Sequence, residues 1–144
     1  MDTDAILNTA VNTIKTAPSS KEGWNRACDA IFYLKSMGPS AVDGLINALY
    51  DPNQNIRLLA VLYLGILEDE GGMVGSRGIS AVTNAIGPRD SEIEAIAAGT
   101  ALALLGDSNA IENTARFMQE FGVYDEHEFH SKSMLTVAEH IARH

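Results

Sequence analysis

Apolar residues return every three or four positions along most of the chain, the period of an amphipathic helix. Ile6, Ala10, Val11 and Ile14 fall on one face of a helix over about 3–15. A second helix, about 21–37, is expected to turn Trp24, Cys28, Ile31, Phe32 and Leu34 inward. Gly38-Pro39 separates it from a third over about 40–50, and Asp51-Pro52-Asn53 leads into a long helix over 54–68. Past a glycine-rich stretch the pattern predicts helices near 79–86, 91–105, 109–121 and 128–143. The stretches 58–67 and 95–105 are apolar nearly all round, so each is expected to lie between neighbours. Alternating β-branched runs, the signature of half-buried strands, do not occur. Pro18, Pro39, Pro52 and Pro88 all fall between periodic stretches, where proline ends or begins a helix. The expectation is a single all-α domain over 1–144.

The long apolar helix carries a further pattern. Arg57, Ala60, Leu64 and Gly65 stand in the order Arg-x-x-Ala-x-x-x-Leu-Gly, and Ala101 with Leu105-Gly106 repeats its last three positions forty-one residues later. Ala98 stands where the second arginine would be. Ala30 and Leu34 repeat the alanine and leucine thirty residues earlier, with Lys35 in place of the glycine. A small alanine lets two helices approach, the leucine fills the groove a turn later, and a glycine suits a left-handed C-cap. The second helices also correspond: Ala41-Val42 with Leu45-Ile46, Ala81-Val82 with Ala85-Ile86, and Ala110-Ile111 with Thr114-Ala115. These positions, together with the Asp51-Pro52-Asn53 turn, resemble HEAT repeats. The resemblance implies a short right-handed α-solenoid of about three helix pairs over roughly 24–122, flanked by terminal helices at 3–17 and 127–143. It implies little about function.

Charge narrows the classes of partner. Nineteen acids face ten bases, a formal net charge of −9. Duplex affinity rests on cations that neutralise phosphates, so direct nucleic-acid binding is not expected, and the basic surface of HEAT-like DNA glycosylases has no counterpart. Twelve acids and three bases lie between Glu68 and Glu128, so that span carries the whole imbalance while the rest of the chain balances. In a solenoid, order in sequence is order in space. Glu92, Glu94, Glu112, Glu120, Asp125 and Glu126 are therefore expected to form one acidic end that steers a basic protein partner; plain solubility is the other reading of the same acidity.

Few residues offer other chemistry. Gly71-Gly72-Met73-Val74-Gly75-Ser76-Arg77-Gly78 leads into a helix, and Gly75, Ser76, Arg77 and Gly78 form a candidate anion-binding loop. No lysine follows its glycines as a Walker loop requires, and a plain connection between helices is the favoured reading. All four histidines, His127, His130, His140 and His144, lie in the last eighteen residues. Two of them four apart share a helix face, so they are the metal candidates, but they lack a full ligand set. No serine sits in a nucleophile elbow, and Cys28 reads as a packed small residue. Phe117, Phe121, Tyr124 and Phe129 bunch before the last helix; core packing is the favoured reading and an exposed partner groove the other.

A single cysteine, an amino terminus without a basic signal-type region and a longest apolar run of about ten residues predict a cytoplasmic protein away from membranes. The expected function is a cofactor-free, non-enzymatic interaction module: an adaptor, inhibitor or immunity-type protein. The alternative is a small-molecule or metal-binding protein using the glycine loop or the carboxyl-terminal histidines.

Overall fold

The computed structural model describes residues 2–86 and 91–144, apart from the side chains of Ile86 and Phe121. Pro88, Arg89, Asp90 and the Phe121 ring, all used in the sequence argument, therefore lie outside the described residues. Among the described residues the chain is entirely helical outside its turns: α1 (Thr3–Thr16), α2 (Ser20–Ala27), α3 (Ala30–Met37), α4 (Pro39–Ala48), α5 (Gln54–Gly71), α6 (Ser76–Ile86), α7 (Glu92–Leu104), α8 (Ser108–Phe121) and α9 (Glu126–Arg143). Six of these begin with a side chain that accepts a hydrogen bond from the first turn: Asp2, Ser19, Asn53, Ser91, Asp107 and Asp125. Each satisfies an amide that the helix itself cannot pair.

The single helix expected over 21–37 is two. The break falls at Cys28 and Asp29, where the amides of Asp29, Ile31 and Phe32 bond three residues back rather than four. The carbonyl of Ala27, released from its helical partner, accepts the phenol of Tyr63 at 2.6 Å. Tyr63 is fully buried on α5, and burial raises its pKa far above the ordinary range. The break also turns α3, which corrects the inward placement of Phe32: Ile31 and Leu34 face the core, while Phe32 and Tyr33 stand 75% and 61% exposed in an edge-to-face pair.

The all-round apolar helix lies where its pattern requires. α5 packs against α1, α3, α4, α7 and α9, and Leu58, Leu59, Leu62, Leu64 and Leu67 are sealed within it. Contacts run from α3 to α5, α7 and α9 in succession; α4 packs between α3 and α5 and α8 between α7 and α9, whereas α6 packs on α7 and α4. α1 and α2 both pack on α9, so the two ends of the chain meet.

Gly65 does not cap a helix. α5 continues past it to Gly71, and the left-handed cap is Gly72, at φ 61°. Gly65 instead serves the α5–α7 crossing: a Cβ there would lie 2.9 Å from the Cα of Ala101. The small residues of the repeat pattern thus mark a close backbone approach. Gly106, by contrast, follows α7 with φ 92°, and Asp107 N–H returns to the Leu102 carbonyl, which is the expected capping role.

This contrast sets a paired test. Gly65→Ala is expected to destabilise the fold by about 1–2 kcal/mol, because overpacking outweighs the gain in helix propensity. Gly99→Ala, in α7 with nothing within 4 Å of its Cβ, is expected to stabilise by about 0.5–1 kcal/mol. Chemical denaturation of both variants checks the sign; a stabilising Gly65→Ala contradicts the crossing.

Candidate functional site: an acidic cleft between α5 and α9

α5 ends in Glu68, Asp69 and Glu70, with no basic residue in its last turn. That arrangement opposes the helix dipole, whose carboxyl end already carries partial negative charge. Glu68 is used locally: its carboxylate accepts the amides of Val74, at 3.2 Å, and Gly75. Glu70 pairs with Lys35 at 3.2 Å. Asp69 has no ion-pair partner among the described residues.

The first turn of α9 faces these acids, and Asp125 caps it by accepting the His127 amide at 3.0 Å. Together the two helix ends line a cleft of about 470 Å³. Asp69, Glu70, Glu126, His127 and His130 provide its polar wall; Ile66, Leu104 and Met134 belong to its apolar lining, and Cys28 closes one side. His130 is 6% exposed, and its Nε2 is buried without a hydrogen-bond partner. The nearest ionised group is Glu126 Oε1 at 4.0 Å. Burial lowers the His130 pKa, against the opposing pull of Glu126 and Asp69, so the ring is neutral at pH 7. Burial likewise pushes the Cys28 thiol up to about 11, helped by Glu70 and Asp29. A thiol that stays protonated is a poor nucleophile.

The acidic residues singled out from sequence do not all share one surface. Glu92, Glu112, Glu120, Asp125 and Glu126 are exposed, and of these Glu126 enters the cleft. Glu94 is corrected: it is 2% exposed and receives Arg57 at 2.7 Å. Arg57 also donates to the carbonyls of Asp51 and Pro52, tying the turn before α5 to α7. A buried carboxylate held this way cannot face a partner. The sequence pattern contained the clue, since Arg57 is the one base in a long apolar stretch and a base so placed needs a buried acid.

The histidines divide into two groups. His127 and His130 belong to the cleft, whereas His140 and His144 stack at the other end of α9, ring centroids 4.3 Å apart. His140 Nε2 donates to Gln54 Oε1 at 2.9 Å, and Gln54 Nε2 donates onward to Glu94 and Ser91. His140 therefore anchors α9 to the start of α5. Among the described residues no three His, Cys, Asp or Glu side chains are placed to hold a metal ion.

The glycine loop has its own occupant. The Glu68 carboxylate fills the amides of Val74 and Gly75, and Arg77 pairs with Asp43. α6 begins at Ser76 rather than near Ile79, with Gly78 packed against Val74 and Leu105, where a Cβ would collide. The aromatic cluster also departs from expectation: Phe117 and Tyr124 are 47% and 89% exposed rather than packed in the core. With Ile111 and Met118, Tyr124 borders an apolar groove between α8 and α9 that shares Glu126 with the acidic cleft.

No family model, curated protein or solved structure matches the chain. Among the described residues no helix is long and apolar enough to cross a membrane.

Charge reversal separates the buried acid from the exposed ones. Glu94→Lys is expected to cost about 3–5 kcal/mol, since it leaves Arg57 buried beside a like charge. Glu112→Lys should stay within about 0.5 kcal/mol of the native protein. Equal midpoints in thermal unfolding would remove the Arg57–Glu94 pair from the account.

Proposed function

We propose that the chain is a non-enzymatic interaction module of the adaptor, inhibitor or immunity type, binding a basic surface of another protein in the cytoplasm. The observation that carries this reading is the placement of charge. The span from Glu68 to Glu128 holds a net −9, and five of its six singled-out acids stand on the surface. Exposed Ile111 and Tyr124 line one groove with Glu126, and apolar surface rimmed by charge is the composition of a protein interface. The protonated Cys28 thiol supports a role without nucleophilic chemistry. A HEAT-like short right-handed solenoid is the architecture we propose for the module. Its support is the seating of α4 between α3 and α5 and of α8 between α7 and α9, and the use of Ala101 at the close α5–α7 crossing.

The test is affinity capture from the source cells with three forms of the chain: native, Glu112→Lys with Glu120→Lys, and Asp4→Lys with Glu139→Lys as a charge-matched control. The expected result is one basic protein held by the native and control forms, lost by the α8 reversal and released by raised salt. A neutral or acidic partner, or equal retention by both reversals, would contradict the proposal.

A further inference from the structure

The cleft between α5 and α9 is built for a hydrogen-bond donor with positive charge. Asp69, Glu70 and Glu126 reach it from two different helix ends; the carboxyl end of α5 adds partial negative charge, and the partial positive charge at the amino end of α9 is offset there by Asp125, Glu126 and Glu128. Lys35 offsets only Glu70. Acids at a helix carboxyl terminus oppose the local rule for stability, and such departures concentrate where a protein binds something.

His130 supplies an independent observation. A buried polar atom without a partner is rare in folded proteins and calls for an occupant. Its Nε2 is such an atom. The other polar groups that line the cleft are carboxylates, the Cys28 thiol, the exposed His127 and the Ser131 hydroxyl; the apolar wall of Ala103 and Leu104 from α7 contributes no charge. With its proton on Nδ1, the neutral imidazole would present Nε2 as an acceptor; with its proton on Nε2 it would instead donate to the carboxylates. In the Nδ1–H tautomer, the carboxylates and the imidazole together lack only N–H groups to accept from.

The rim narrows the choice of cation. A second cleft shares Cys28 and Glu70 with the first and extends over Asp29, Phe32, Tyr33 and Lys35. Phe32 and Tyr33 are the exposed aromatic pair created by the break between α2 and α3. A guanidinium offers five donors in a plane and sheds water more readily than an ammonium, and a second arginine on the same segment can stack on these exposed rings.

We infer that this cleft takes the guanidinium of an arginine on a basic segment of the partner protein, hydrogen-bonded to Asp69, Glu126 and His130 Nε2, with the segment crossing Phe32 and Tyr33. The inference rests on the proposed binding of a basic partner and names where that partner inserts.

The experiment is an NMR titration of the whole chain with three probes: a blocked Gly-Arg-Gly-Arg-Gly peptide, its lysine counterpart, and spermidine. The arginine peptide is expected to shift the His130 Hε1 resonance and the amides of Asp69, Glu70 and Glu126 saturably, at a midpoint at least tenfold below that of either other probe. Asp69→Asn with Glu126→Gln should raise that midpoint at least tenfold. His130→Gln, whose amide oxygen can still accept, should keep part of the affinity that His130→Phe loses; an unchanged amide spectrum away from the cleft shows that each variant is folded. Shifts spread evenly to Glu112 and Glu120, equal midpoints for arginine, lysine and spermidine, or no saturable shift would overturn the inference. If the captured partner survives the cleft variants but is lost on reversal of Glu112 and Glu120, the cleft assignment fails while the interaction module stands.

Discussion

The crossing of α5 over α7 at Gly65 and Ala101 is the constraint on which the other features depend. A backbone approach this close leaves no room for a side chain, so the two helices meet in one register. The register is fixed a second time at the other end, where Arg57 joins Glu94 to the carbonyls of the Asp51-Pro52 turn. Close packing rewards a unique alignment of apolar surfaces, and a buried ion pair penalises every other alignment by leaving a charge unpaired. α5 then has neighbours on all sides, and its outer turns alone remain to meet solvent.

That placement produces the acidic cleft. Because α9 packs on α7, α1 and α2, its amino-terminal turn comes to lie against the carboxyl-terminal turn of α5. Gln54 and His140 hold the opposite end of α9 to the start of α5. The helix is thus pinned at His140 by a satisfied polar network, while His130, near its other end, is left buried and unsatisfied. The same residue type has two physical roles on one helix, and the difference lies in what each ring nitrogen meets.

Much of the architecture was legible in the sequence because helical periodicity is a local signal. The burial of α5 followed from a stretch without a polar face, and α5, α7 and α8 begin within one residue of their expected starts. What was not legible depended on distant partners. The break at Cys28 and Asp29 is stabilised by Tyr63, which bonds the Ala27 carbonyl thirty-six residues away, and beyond it Phe32 faces water. Glu94 resembled its exposed acidic neighbours until Arg57 was brought to it. The candidate anion loop was filled by Glu68, an acid from the preceding helix that sequence spacing does not assign. His130 stood out only as one of four clustered histidines; its separation from His140 required the packing of α9.

The most direct test of the account is the ionisation of His130 in the folded chain, followed by its ring Cε1–H resonance. Two physical effects oppose one another there: desolvation disfavours the imidazolium, while Asp69 and Glu126 favour it. The structure, in which the ring is buried beneath the acidic cleft, predicts a pKa below the ordinary value of 6.5. It also predicts that Glu126→Gln lowers the value further by removing one attraction. A His130 pKa at or above 6.5 would place the ring in water or in direct contact with a carboxylate, and would contradict the cleft as described.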